Sequence, residues 1–239
     1  MPRTDIHHRT APRPESVIPL PAAVLWDMDG TLVDTEEYWH QAEIDLVTAH
    51  GGTWTLEQGL ELIGGPLTKA AAVLRRAGVP GTDDEIANEL IDRMVRQVLD
   101  NPPAWRPGAR ALLNSLSALG VPMALVTASF TELADAVIAA LPPGTFGAVV
   151  TGEEVSNGKP DPEPYLLAAD RLGVDIRRCV AIEDSIPGVT SAQASGAATI
   201  AVPLIVEIPP HSGRRILPTL EGVQPSDLAA ILAELNHAT

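Results

Sequence analysis

Apolar positions along this chain follow two rhythms. Ala22–Trp26 is a short, unbroken apolar run that stops at Asp27, the pattern of a buried strand. From Thr35 to about Trp105 the spacing is helical. "EEYWHQAEIDLVTAHGG" closes on a glycine pair suited to a helix C-terminus, and "PLTKAAAVLRRAG" starts at Pro66 and stops at Gly78. "TDDEIANELIDRMVRQVLD" opens with Thr82 and Glu85 at capping-box spacing. No strand pattern interrupts this block, and "NPPAWRPG", residues 101–108, ends it.

Downstream the rhythm changes. Ala109–Leu119 reads as a helix, "PMALVTAS" as a strand with a polar end, and Glu132–Leu141 as a helix. "FGAVVTG", "CVAIEDS" and "ATIAVP" read as strands, separated by the helical "PEPYLLAADRLG" and "GVTSAQASG". Residues 206–222, rich in Pro and Gly, read as a loop, and "PSDLAAILAEL" as a closing amphipathic helix capped by Ser226. Strands alternating with helices imply a parallel sheet covered by helices. The expected fold class is therefore α/β, a Rossmann-like parallel sheet core with an inserted all-helical cap domain. Residues 21–34 and 107–239 form the expected core, 35–106 the cap, and 1–20 a disordered tail.

Composition sharpens this picture. A chain of 239 residues suits one main core plus an inserted unit. Aromatics are only 3%, so Ala, Leu and Val must do most of the packing. The formal net charge of −15 repels nucleic-acid phosphates and anionic membrane surfaces. Neither is an expected partner. A small anionic substrate requires a local cation, which a metal ion supplies most directly. The single Cys179 allows no internal disulfide, as in a reducing cytoplasm, and its apolar neighbours suit a core position. No run reaches the ~18 apolar residues of a membrane span. Residues 1–20 carry Arg3, Arg9, Arg13 and four prolines without an apolar segment, unlike a secretory signal. A cytoplasmic protein, monomeric or weakly homodimeric, is the expectation.

In open α/β sheets, ligands bind beyond the carboxyl ends of the strands. Those ends deliver Asp27 and Asp29 from the first strand, and Thr127, Ala128 and Ser129 from "ALVTAS". They also deliver Glu183, Asp184 and Ser185 from "VAIEDS", and Lys159 from the "GKP" loop. Four carboxylates in one cleft repel each other unless some protonate or a cation intervenes. Mg²⁺ takes oxygen ligands and keeps positions open for water and a phosphate oxygen. Lys159, the Thr127 hydroxyl and the N–H groups of the Asp27–Gly30 turn are candidates for the remaining phosphate oxygens. The bland readings are an Asx turn at Asp27 and Asp29, a turn cap at Thr127, a surface lysine at 159 and a second-sphere ion pair at Glu183. Asp34 reads as ending the turn into the cap. Trp26, Trp39, Trp54 and Trp105 read as packing residues, with Trp39 placed to face a substrate.

Four motifs, "DMDGT" at 27–31, "VTAS" at 126–129, "GKPDPEPY" at 158–165 and "IEDS" at 182–185 followed by Gly188, occur in order at strand ends. The set resembles the haloacid dehalogenase superfamily, in its phosphatase and β-phosphoglucomutase-like branch with a helical cap after the first strand. The resemblance covers roughly Ala22 to Val202. It implies Asp27 as nucleophile forming an aspartyl-phosphate and Asp29 as general acid and then base. It implies Mg²⁺ held by Asp27, the Asp29 backbone carbonyl and Asp184, with Glu183 direct or through water. Thr127 and Lys159 would stabilise the transferring phosphoryl group.

Superfamily members that cleave carbon–halogen or carbon–phosphorus bonds lack the second aspartate, so Asp29 points to an oxygen ester. The cap loop "LIGGPLTK", residues 62–69, is the candidate specificity loop, with Gly65 and Lys69 as substrate-binding candidates. Related enzymes often place an arginine or other polar residue where Gly65 falls, which weakens a mutase reading. The expected activity is a Mg²⁺-dependent phosphomonoester hydrolase acting on a small phosphorylated metabolite. A sugar-phosphate mutase and a catalytically degenerate binding member are the alternatives.

Overall fold

The computed structural model describes residues 18–62 and 67–237. Six strands form one parallel sheet: β1 Ala23–Trp26, β2 Met123–Val126, β3 Ala148–Val150, β4 Cys179–Glu183, β5 Ala198–Ala201 and β6 Arg214–Ile216. Their spatial order is β3-β2-β1-β4-β5-β6. The chain winds outward from β1 through β2 and β3, then returns to the other side of β1 as β4. β1 is therefore central, with Trp26 in register with Leu125 on one side and Ile182 on the other. The gap between β1 and β4 is the switch point where α/β folds bind ligands.

Buried strands in such a sheet must be apolar on both faces, and β1, β2 and β3 are apolar throughout. Ala23, Leu25, Ala124, Val126, Cys179 and Ala181 point to one face, under α7 (Glu163–Leu172) and α8 (Ile186–Ser195). Val24, Trp26, Met123, Leu125, Val180 and Ile182 point to the other, packed with residues of α5 (Ala109–Ala118) and α9 (Pro225–His237). The first face is built largely from alanine and valine. Tyr165 is its one fully buried aromatic among the described residues.

Between β1 and α5 lie α1 (Glu36–Ala49), α2 (Leu56–Leu60), α3 (Leu67–Arg76) and α4 (Asp83–Asp100), with no strand among the described residues of that block. α4 packs on α3 and α1 and also on α6 (Thr131–Ile138) of the sheet layer. The apolar cluster is accordingly continuous from Leu46, Leu74 and Leu90 to Leu133 and Val137.

Three local features differ from the sequence-based expectations. α2 is a separate short helix, closed by a capping box between Thr55 and Gln58. β6 occurs within the stretch read as loop. It is an edge strand only half buried, so its "RRI" sequence carries little apolar signal. Ser226 does not cap α9, because that helix starts at Pro225 and the Asp227 carboxylate accepts the Gln224 N–H at 2.8 Å. By contrast, the Thr82–Glu85 capping box forms as its spacing requires. Glu85 also sits in the first turn of α4, where a carboxylate favours the helix dipole.

Because the Thr82 hydroxyl oxygen accepts the Glu85 N–H, a bond that alanine cannot make, Thr82→Ala is expected to cost about 1 kcal/mol. In a chain of this size the melting temperature should fall by roughly 2–4 °C. Thermal unfolding by circular dichroism checks this; an unchanged midpoint would show that the box adds nothing to α4.

Candidate active site

Asp27 follows β1 directly, and its N–H continues the ladder to the Ile182 carbonyl at 3.1 Å. The chain then turns sharply. The N–H groups of Leu32 and Val33 both reach back to the Met28 carbonyl, at 2.9 and 3.2 Å. Gly30 sits at φ +81°, and a β-carbon there would lie 2.1 Å from Asp184 Oδ2. Glycine thus serves twice, for a left-handed turn and for close approach of the turn to the Asp184 carboxylate. Of the turn's N–H groups offered to a phosphate, those of Asp27 and Gly30 are spent on the Ile182 and Val33 carbonyls.

Lys159 reaches under this turn from the loop before α7. Its buried ammonium donates to Asp27 Oδ1 at 2.7 Å, Glu183 Oε1 at 2.6 Å and the Val126 carbonyl at 2.9 Å. All three donors of the group are therefore used. The Tyr165 hydroxyl also donates to Glu183 Oε1, at 2.7 Å, and the ammonium lies 5.3 Å from the Tyr165 ring centre. The second Glu183 oxygen accepts from the Asp184 N–H and the Ser185 hydroxyl. α8 comes this close because residue 188 is glycine: a β-carbon there would overlap the Glu183 carboxylate, at 1.9–2.1 Å. Burial alone would lower the Lys159 pKa, but Asp27 and Glu183 outweigh it and hold the ammonium well above its usual value.

The carboxylates carry the opposite strain. Burial, followed by repulsion from Glu183, raises Asp27 to about 7 despite Lys159. Burial, followed by repulsion from Asp27 and Glu183, raises Asp184 well above the carboxylate range. The site holds more negative charge than Lys159 neutralises. Oxygens of Asp27, Glu183 and Asp184 lie within 4.8 Å of one another, and Asp27 Oδ2 is buried with no hydrogen-bond partner. Buried polar atoms without partners are rare and call for an explanation. An all-oxygen donor set with an orphaned carboxylate oxygen fits a hard divalent cation.

Asp29 points elsewhere. Its Oδ1 accepts from Thr35 Oγ1 at 2.6 Å and Trp39 Nε1 at 3.4 Å, both at the start of the helical insertion. Its Oδ2 accepts from Ser129 Oγ at 2.7 Å and Thr127 Oγ1 at 3.3 Å, after β2. Thr127 Oγ1 also accepts the Ser129 N–H, so it caps the turn and holds Asp29 at once. The Asp29 side chain lies outside the acidic cluster of Asp27, Glu183 and Asp184.

The remaining candidates scatter. Ala128 is exposed between Thr127 and Ser129. Lys69 is exposed and donates to the Glu61 carbonyl, satisfying the C-terminal end of α2. Gly65 lies outside the described residues. Asp34 accepts the Glu36 N–H and its own N–H goes to the Ala104 carbonyl, so it shapes the entry into α1. Glu36, on the first turn of α1, is raised to about 7 by burial and by Asp29, Asp34 and Glu43. Tyr165 and Thr35 were not singled out from sequence as site residues, and Ser129 was placed at a strand end without a role of its own. Tyr165 closes the motif "GKPDPEPY", six residues after Lys159, and that position was the available signal.

The family model described as haloacid dehalogenase-like hydrolase matches residues 21–196. Hexitol phosphatase A of Escherichia coli is 37% identical over 183 residues, 74% of this chain and 81% of that protein. The bifunctional riboflavin kinase/FMN phosphatase of Arabidopsis thaliana is 33% identical over 187 residues, 77% of this chain; the match spans about half of that longer protein, 49%. The crystal structure of CbbY from Rhodobacter sphaeroides in complex with xylulose-(1,5)-bisphosphate superposes with a TM-score of 0.80 at 26% identity, covering 87% of this chain and 99% of that one. The chain belongs to the haloacid dehalogenase-like hydrolases. The two curated relatives named here are phosphatases.

The raised carboxyl pKa values couple the site to pH. Asp27 binds its proton more tightly folded than unfolded, so its contribution to stability is present below about pH 4 and is lost as pH rises toward about 7. Asp184 acts in the same direction. Metal-free protein should therefore lose melting temperature across that window. A divalent cation added below about pH 7 should release protons as it binds. Calorimetric titration with MgCl₂ in two buffers of different ionisation enthalpy measures that release; zero net proton exchange at pH 6 would contradict it.

Proposed function

We propose that this chain is a Mg²⁺-dependent phosphomonoester hydrolase for a small phosphorylated carbohydrate, working through an aspartyl-phosphate on Asp27. The observation that carries the reading is the pairing of two different aspartates two residues apart. Asp27 is buried against Lys159 with one oxygen unpartnered, while Asp29 sits among hydroxyl and indole donors. One suits a nucleophile and the other a proton carrier.

The steps balance as follows. An Asp27 oxygen attacks phosphorus and the bond from phosphorus to the ester oxygen breaks, while Asp29 gives its proton to the departing alkoxide. Water then attacks the aspartyl-phosphate, Asp29 takes a proton from it, and the bond from phosphorus to the Asp27 oxygen breaks. Inorganic phosphate leaves and both aspartates return to their starting states. Mg²⁺, held by Asp27, Asp184 and the Asp29 carbonyl, would neutralise phosphate charge and orient the ester. Lys159 fixes Asp27 and adds positive charge beside the transferring group. Glu183, with both oxygens engaged by donors, holds Lys159 and would serve the cation directly or through water. The helices α1–α4 act as a cap over the strand ends and select the substrate. A carbohydrate monoester is favoured because hexitol phosphatase A and the CbbY complex concern phosphorylated sugars or sugar alcohols.

Phosphate release from a panel of sugar and sugar-alcohol phosphates should require Mg²⁺, vanish with EDTA and return on adding the metal. β-Glucose 1-phosphate belongs in the panel, with product analysis, because isomerisation without phosphate release would identify a mutase instead. Asp27→Asn should be inactive on every ester. Asp29→Asn should lose about 10²–10⁴-fold on alkyl esters, the usual worth of general acid–base catalysis. Its initial burst of nitrophenol from p-nitrophenyl phosphate should survive, since that leaving group needs no proton. Equal losses of both kinds would count against Asp29 as the acid.

A further inference from the structure

The helical insertion holds a second buried ionisable pair, one that the chemistry at the strand ends does not use. Glu43, in the middle of α1, is 4% exposed. Its Oε2 accepts the Trp54 indole N–H at 2.9 Å. One turn earlier on the same helix face, His40 Nδ1 lies 3.9 Å from that same oxygen and is buried with no hydrogen-bond partner. A buried polar atom without a partner calls for an explanation. A proton held between Oε2 and Nδ1 supplies one, because it joins two atoms that otherwise present lone pairs to each other.

α2 rests on this pair. Of its five residues only Gly59 is buried, and Leu56 and Leu60 are exposed. Gly59 passes so close that a β-carbon there would lie 2.7 Å from His40 Nδ1 and 3.0 Å from Glu43 Oε2. A helix this short has no stability of its own, and one buried glycine adds little apolar contact. The placement of α2 therefore depends on Trp54 and Leu62, packed into the main cluster at its two ends, and on the state of the pair beneath it. α2 in turn opens the stretch read from sequence as the specificity loop, and Lys69 is bonded to the Glu61 carbonyl at its end.

Burial, opposed by the Trp54 bond, raises Glu43 to about 7. The titratable groups that face it are His40 and, two turns earlier, Glu36, both on α1. α2 meets it through Gly59 and the preceding segment through Trp54, neither of which titrates. Among the described residues no charge from α3 or α4 contributes to its shift. The carboxyl binds its proton more tightly docked than at its ordinary 4.5, so this support for α2 is complete below about pH 4.5 and is lost as pH rises through about 7.

We propose that His40 and Glu43 are positioning residues of the insertion: one proton shared between them keeps α2 docked on α1 and so sets how the insertion meets the substrate. The step to the substrate rests on the reading of α1–α4 as a cap that selects it. Neither residue touches the reacting atoms, and the proton comes from solvent and returns to it.

The test is amide hydrogen exchange of residues 54–62, read by mass spectrometry on the full-length protein in saturating MgCl₂ from pH 5.5 to 8.5, corrected for the intrinsic pH dependence of exchange. Opening of this segment should increase about tenfold between pH 5.5 and 7 and then level off. Glu43→Gln keeps an oxygen for Trp54 and turns a permanent N–H toward His40, so the segment should stay protected and the rise should vanish. Trp54→Phe removes the donor that holds Glu43 down, so its levelling should move to higher pH. On the best ester of the panel, the KM of wild type relative to Glu43→Gln should grow about twofold or more from pH 6 to 8, while kcat follows one pH profile in both.

Exchange in wild type that does not change with pH, or a rise that persists in Glu43→Gln, would overturn the proposal. Should Glu43→Gln fail to fold, Trp54→Phe decides: a levelling at the same pH as wild type overturns the proposal too. A constant KM ratio beside a responsive segment would overturn the step from α2 to the substrate. Exchange needs no turnover, so it decides on the pair even if no phosphomonoester is cleaved.

Discussion

The site depends on one electrostatic constraint: three carboxylates share a buried volume with a single ammonium. Asp27, Glu183 and Asp184 stand at the ends of two adjacent central strands, and Lys159 is bonded to the first two of them. Taking so much like charge out of water is costly, and a buried ion pair repays the cost only when its hydrogen bonds are complete. Lys159 meets that condition, with all three of its donors used. Asp27 does not, and its unpartnered oxygen and raised pKa record the remaining deficit.

The surrounding structure serves this arrangement. Tyr165 and the glycine at 188 let Glu183 be fully buried yet fully bonded, which keeps Lys159 in place. Gly30 lets the turn after β1 close against Asp184. The two faces of the sheet differ to the same end. One is packed with small residues so that α7 and α8 sit close behind the strand ends, while the other is continuous with the helical insertion. Asp29 is positioned at the seam, bonded from both sides.

Two aspartates of the same motif are thus given different surroundings. Asp27 faces a cation and other carboxylates; Asp29 faces neutral donors. A turn two residues long separates them, and the difference arises from what the neighbouring strands and α1 present to each.

The first strand, the alternation of strands and helices, and the placing of Asp27, Asp29, Thr127 and Asp184 beyond strand ends and of Lys159 in the loop before α7 were legible in the sequence alone. Each is encoded locally, by an apolar run that ends in polar residues or by a short motif. The same holds for the Thr82–Glu85 capping box, whose partners are three residues apart. What tertiary structure decided were the long-range partners. Tyr165 lies 18 residues from Glu183, Ser129 lies 100 from Asp29, and nothing in either segment announces the other. β6 was hidden because an edge strand is half exposed and needs no apolar run. The sequence allowed an ion pair for Glu183 but not its partners, Lys159 and Tyr165, since a carboxylate at a strand end reads the same whether a metal or an ammonium will meet it. Sequence determined which chemical groups are available and at which strand ends they stand. Only the packing of α1, α7 and α8 against those ends decided which donor meets which oxygen, because hydrogen bonds are set within tenths of an ångström by elements far apart in the chain.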